Sequence, residues 1–333
     1  MKRWKSVSCL PALALALGLS AAAAPALAAD VQFWFGGVDP VVQKDRNTDH
    51  PADFMDLFKP DAPWTTSAAR LSVFMISTQF ATRASDDALA SLVTDLRRRG
   101  IGLALEAGML RNDRGCGKGE GYIPQNLLKR AVTRIQQAGG NLDYVSMDEI
   151  VFFGHERNWP DKLGPPCQDK LDELAREVAE KVAEIHAVFP KAQIGAVEPI
   201  TTGHGFDPGQ VIKDYAAFAD LYQKQTGEKL AFLHADIAWR MPGWQAAVAL
   251  MKVTARARSI RFGVVFGGTP DQMDDVSWTR VGLDRLKSFA ANPAITPDDV
   301  LIQSWQPLPT RELPETTPGT HSWMLLQAER SMR

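Results

Sequence analysis

Apolar and polar positions alternate through the chain in two rhythms. Short runs with strand-like period two are followed by longer stretches in which apolar residues recur every three or four positions. Eight runs of the first kind stand out: Val31–Gly37, Leu71–Thr78, Ile101–Leu110, the stretch that opens at Leu142, Ala192–Pro199, Leu230–Trp239, Ile260–Gly267 and Val300–Gln306. The intervening stretches carry helix punctuation. Ser85-Asp86-Asp87 opens a helix that Gly100 closes, and Pro124 opens one that ends at Gly139-Gly140. Further helices are predicted over Lys170–Val188, Gln210–Thr226, Pro242–Arg258 and Ser277–Ala291, with a short one in the tail. Eight strands alternating with helices predict a single α/β domain, a (β/α)8 TIM barrel. The rival open sheet normally shows a Gly-x-Gly-x-x-Gly turn after its first strand, and this sequence has none there.

The stretch Leu142–His155 (LDYVSMDEIVFFGH) is the most informative. Val145 and Met147 share one parity, Tyr144, Ser146 and Asp148 the other, and Glu149 follows at the tip. A strand with acids only at its exit fits a barrel whose pocket lies beyond the C-terminal strand ends. The same parity reading places Gln32, Glu106, Glu198, His234, Asp236 and Gln303 on the barrel side of their strands. Several unpaired carboxylates in one interior are costly enough to imply a task for at least two of them.

Composition adds an address. Lys2, Arg3 and Lys5 precede an apolar core over Cys9–Ser20, and Ala26-Leu27-Ala28 offers an Ala-x-Ala cut. Residues 1–28 are therefore expected to be a signal peptide and 29–333 the barrel domain, periplasmic or secreted. Cleavage removes three basic residues and no acids, moving the formal charge from −2 to −5. No basic run marks a nucleic-acid binder, and no other apolar run approaches membrane-spanning length. Cys116 and Cys167 remain after cleavage. Both lie in loops after neighbouring strands, and an even pair in an oxidising compartment is expected to form a disulfide.

Paired carboxyls are the equipment of glycoside hydrolysis: one protonates the leaving oxygen, the other attacks or activates water. Crowding keeps one of them protonated at neutral pH. Trp34, Trp159, Trp239, Trp244 and Trp305 fall at or just after strand exits, where aromatic faces stack on sugar rings. Expected substrate contacts are Trp34, Glu106, His155, His234, Trp239, Gln303 and Trp305.

In architecture and acid placement the chain resembles the (β/α)8 glycoside hydrolase superfamily over its whole mature length, with no single family marked by a motif. The resemblance implies a catalytic set among Asp148, Glu149, Glu198 and Asp236. In the superfamily's largest clan a fourth-strand Glu after Asn is the acid/base. Here Asp148-Glu149 stands in that place, and Phe266-Gly267-Gly268 replaces the seventh-strand nucleophile. Other members pair a fourth-strand Asp with a fifth-strand Glu, here Asp148 and Glu198, or fourth- and sixth-strand Asp residues, here Asp148 and Asp236. The expected roles are Asp148 as nucleophile or base and Glu198 as general acid, with an oligo- or polysaccharide substrate, no cofactor, no metal and a monomeric chain. Two alternatives stand beside this. One is a metal-dependent sugar isomerase or hydrolase using Glu106, Glu198, His234 and Asp236. The other is a barrel that binds saccharide without turnover.

Overall fold

The computed structural model describes residues 1 and 31–332, apart from 49–50, 161, 201–204, 270 and 273. The expected signal peptide lies outside the described residues.

The eight runs form the eight strands of a closed parallel barrel: β1 (Gln32–Gly36), β2 (Leu71–Ser77), β3 (Gly102–Ala107), β4 (Tyr144–Asp148), β5 (Gln193–Ile200), β6 (Phe232–Ile237), β7 (Arg261–Phe266) and β8 (Asp299–Gln303). Each pairs with its sequence neighbours, and β1 closes the ring on β8. The helices follow from their sequences. Asp86–Arg99 is capped by Ser85, whose hydroxyl accepts from the Ala88 N–H at 3.2 Å, and ends on Gly100 at φ 72°. Its acids sit in the first turn and its arginines in the last, complementing the helix dipole. Leu89, Leu92, Val93 and Leu96 form the stripe it buries.

Two apolar layers result. Outward-facing residues such as Val145, Met147, Ile194 and Ala196 pack under the helices. Inward-facing Trp34, Val73, Met75, Ala104, Val197, Phe232, Val265 and Leu301 fill the barrel itself. Beside that plug, Asp299 binds the His234 imidazole at 3.2 Å and the Arg261 guanidinium at 2.6 Å. Gly263 leaves room for this group, since a Cβ there would collide with the His234 ring.

Two expected site residues are therefore part of the core. Trp34 is 1% exposed and His234 is wholly buried, stacked on Phe232 with centroids 4.3 Å apart. Their inward parity is as expected, but their depth is not: each sits a full pleat below the strand exits. The disulfide Cys116–Cys167 is present, with Cα atoms 5.2 Å apart. It joins the β3 loop to the β4 loop, as does the Arg114–Asp169 pair at 2.8 and 2.6 Å. No helix among the described residues is long and apolar enough to cross a membrane.

Candidate active site

The strand exits gather carboxyl groups at the C-terminal mouth of the barrel. β3 contributes Glu106, β4 ends in Asp148 with Glu149 beyond it, and β6 contributes Asp236. The side-chain amide of Gln303, at the end of β8, donates to both Glu106 oxygens, at 3.0 and 3.1 Å. Two further acids join them from loops. Asp39, after β1, caps the helix Pro40–Asp45 through the Val41 N–H at 2.7 Å and accepts from the Ser77 hydroxyl. Glu120 reaches in from the glycine-rich β3 loop and lines the mouth with Glu106 and Asp148. Neither was visible by strand parity, because neither lies on a strand.

Burial and mutual repulsion act on the whole group. Desolvation, followed by the charges of Glu106, Glu120, Glu198 and Asp236, holds Asp148 well above the ordinary carboxyl range. Glu149 is held up likewise, by desolvation and then by Glu120, Asp236 and Asp148. Desolvation raises Glu106 to about 7 against the opposing pull of Gln303. Asp236 rises only to about 6: desolvation and Glu120 lift it, while the Ile237 N–H and the Arg285 guanidinium hold it down. Glu106, Asp148, Glu149 and Asp236 are all raised by burial, and Asp236 alone among them is also opposed by a guanidinium, that of Arg285.

Glu149 adopts a left-handed conformation, φ 51°. For a residue with a β-carbon this costs about 1–3 kcal/mol and persists only where neighbours enforce it. Its own N–H donates to the Val197 carbonyl at 3.0 Å.

Glu198 departs from its expected place. Val197, the neighbour of His234 across β5 and β6, is the inward residue, so Glu198 and its own neighbour Ala235 face out. The buried Glu198 carboxylate accepts from the N–H groups of Val151 at 2.8 Å and Phe152 at 3.1 Å. Desolvation raises it to about 8 against those bonds. His155 also lies away from the mouth. Its Nδ1 meets the Asp169 carbonyl at 2.7 Å, and it groups with Glu156 and Asp214 within 4.8 Å. The set Glu106, Glu198, His234 and Asp236 is not convergent, because one member faces out and another is sunk in the core.

Two lobes flank the acids. One, of about 640 Å³, is lined by Asp236, Trp239, Arg240, Asp271, Gln303 and Trp305. The other, of about 610 Å³, is lined by Ser77, Glu106, Asn112, Lys118, Glu120 and Asp148. Trp239 is held from behind by Trp244, with centroids 5.2 Å apart, and by the Arg285 guanidinium 4.6 Å from its ring. Trp305 is 39% exposed at the rim. Trp159 packs instead on Phe152 and Phe206.

No protein-family model matches the sequence, and neither does any curated protein. Solved structures do resemble it. A thermostable mutant of a xylanase from Cellvibrio japonicus is 12% identical with TM-score 0.53, covering 91% of this chain and 98% of that one. Xylanase 10B from Thermotoga maritima is 9% identical with TM-score 0.51, covering 91% and 96%. The carboxyl transferase domain of Rhizobium etli pyruvate carboxylase is 14% identical with TM-score 0.50, covering 91% of this chain. This chain spans about half the length of that last one, at 47%. Two different chemistries on one scaffold leave the likeness as one of fold. The chain has the (β/α)8 barrel of glycoside hydrolases and of other barrel enzymes.

Proposed function

We propose that the protein is a secreted glycoside hydrolase, acting as a monomer, that cuts an oligo- or polysaccharide across the mouth of the barrel. The observation that carries this reading is the meeting, at the barrel mouth, of a crowded carboxyl cluster and a lobe lined by Asp236, Trp239 and Trp305. Hydrolysis needs one carboxyl protonated and one ionised in the same pocket. Asp236, at about 6, is the carboxylate that acts as nucleophile or base. Glu149, buried and repelled by its neighbours, keeps its proton and serves as general acid. Asp148 and Glu106 complete the acidic floor and bind sugar hydroxyls, with Gln303 orienting Glu106. The sequence supports cleavage after Ala28, and the Cys116–Cys167 bridge suits an oxidising compartment. The xylanases with the same fold act within this substrate class, which supports a polysaccharide as the ligand.

A glycan-hydrolysis screen of the mature protein, run with and without EDTA, tests the reading. Turnover untouched by chelator is expected, with Asp236→Asn and Glu149→Gln each losing about 10²- to 10⁴-fold in kcat. The rate is expected to be bell-shaped in pH. Activity falls below about pH 6 as Asp236 takes up a proton, and falls again at higher pH as Glu149 loses its own. Loss to EDTA would move the case to a metal-dependent enzyme. Binding without turnover across the panel would leave a saccharide-binding barrel.

A further inference from the structure

We propose that Glu198 is a positioning residue: it caps, from the neighbouring strand, the helical turn that follows Glu149, and so releases the Glu149 carboxyl into the barrel mouth. This rests on the reading of Glu149 as a reacting group.

The chain turns helical directly after Glu149, at Ile150 and Val151, and continues as a wider turn over Phe152–Glu156. The first N–H groups of any helix lack partners within it. The residue just before the helix usually has extended backbone and folds its own side chain back over those groups. Glu149 holds that position, yet it is left-handed and spends its N–H on the Val197 carbonyl. Its carboxyl lies instead among the charges of Glu120, Asp148 and Asp236. The cap comes from β5. One Glu198 oxygen takes the Val151 N–H at 2.8 Å and the other takes that of Phe152 at 3.1 Å.

Capping by a second strand explains two otherwise unrelated features. Glu198 is 1% exposed and faces away from the barrel interior, so it reaches no substrate. Glu149 keeps a strained backbone because both sides of its turn are fixed to β5, one through Val197 and the other through Glu198. Strain of this kind survives where the surroundings over-determine it. Without the Glu198 cap, the Glu149 side chain becomes the nearest group able to satisfy the orphan N–H groups. The acid would then leave the mouth.

The experiment compares the mature protein with Glu198→Gln, Glu149→Gln and the double variant. Gln keeps the shape of Glu198 but offers one acceptor oxygen where the two N–H groups need two. Three quantities are read: kcat and KM on an oligosaccharide, kcat on an aryl glycoside with a good leaving group, and the carboxyl ¹³C titration of Glu149. Glu198→Gln is expected to lower kcat about 10²-fold, as for a reacting group displaced by about 1 Å, with KM within about twofold. The activated glycoside should recover most of that loss, as it does for Glu149→Gln. The double variant should lose no more than Glu149→Gln alone. The Glu149 midpoint should fall toward the ordinary carboxyl range as the side chain leaves the crowded mouth. Unchanged kcat together with an unchanged Glu149 midpoint would overturn the proposal, whatever happens to the melting temperature. So would a double-variant loss equal to the product of the two single losses. If Glu198→Gln does not fold, Glu198→Asp, which retracts the carboxyl group by one methylene, is scored by the same readouts. If the parent cleaves no glycan, the proposed function fails, and the Glu149 midpoint still decides the role of Glu198.

Discussion

Among single residues, the acids of the mouth set the terms on which the barrel is stable. Glu106 is raised to about 7, chiefly by desolvation, so the folded chain binds a proton there that the unfolded chain gives up near the ordinary carboxyl value. Where the folded state holds more protons, stability declines as pH rises. The contribution is complete below about pH 4.5 and is lost as pH passes through 7. Glu106→Gln removes this titration. The variant is expected to gain melting temperature over the parent at pH 8 and to match it at pH 5, by thermal denaturation at the two values. Equal differences at both would show that Glu106 titrates normally. The same residues mark how far the sequence could be read. Asp148, Asp236 and Gln303 were legible because each ends a strand whose alternation fixes its face. Glu198 was not, because Ala196 and Val197 are both apolar and their run has no alternation to read. The signal that resolves it is Gly195, two positions before Val197 and so on the same face as it, where a Cβ would collide with the inward Phe232 ring.

Elements add what single positions cannot. The β3 loop carries Glu120 to the mouth, and its tie to the β4 loop includes the Cys116–Cys167 bridge, the Arg114–Asp169 pair and a Gly117 N–H to the Pro165 carbonyl at 3.4 Å. The cysteines were readable from their even number and their places after adjacent strands. Glu120 was not, since a loop has no periodicity to assign a direction. The bridge spans a sequence separation of 51 residues, which in the chain-entropy view stabilises the fold by about 4 kcal/mol. Replacing both cysteines with Ser is expected to lower denaturant stability by up to that amount. It should also lower the Glu149 midpoint, because after burial the Glu120 charge is what raises it most. A stability loss with no change at Glu149 would show that the bridge holds the loop but not its acid.

On the scale of the whole molecule, the barrel separates a dry half from a wet one. Trp34, Phe232 and His234 seal the interior below the acids, which is why inward parity alone overestimated the site: it finds the face of a strand but not the depth. Above the seal, the acids lie between two lobes of about 640 and 610 Å³. Each is larger than the few polar contacts at the cut require, and they lie on opposite sides of the cluster. A chain threaded through both would place its scissile bond over the acids between them, with one end against Trp239 and Trp305. Binding energy from units far from the cut then orients the bond. Accordingly, kcat/KM is expected to rise with oligosaccharide length until both lobes are filled, and Trp239→Ala or Trp305→Ala should cost about tenfold on long substrates, equivalent to about 1.4 kcal/mol. The penalty should shrink on substrates too short to reach the tryptophan lobe. Rates independent of length, with equal losses on short and long chains, would instead describe a pocket that takes one terminal sugar. Trp239 should be the more sensitive of the two. Trp244 and Arg285 pack against its ring, whereas Trp305 is 39% exposed at the rim.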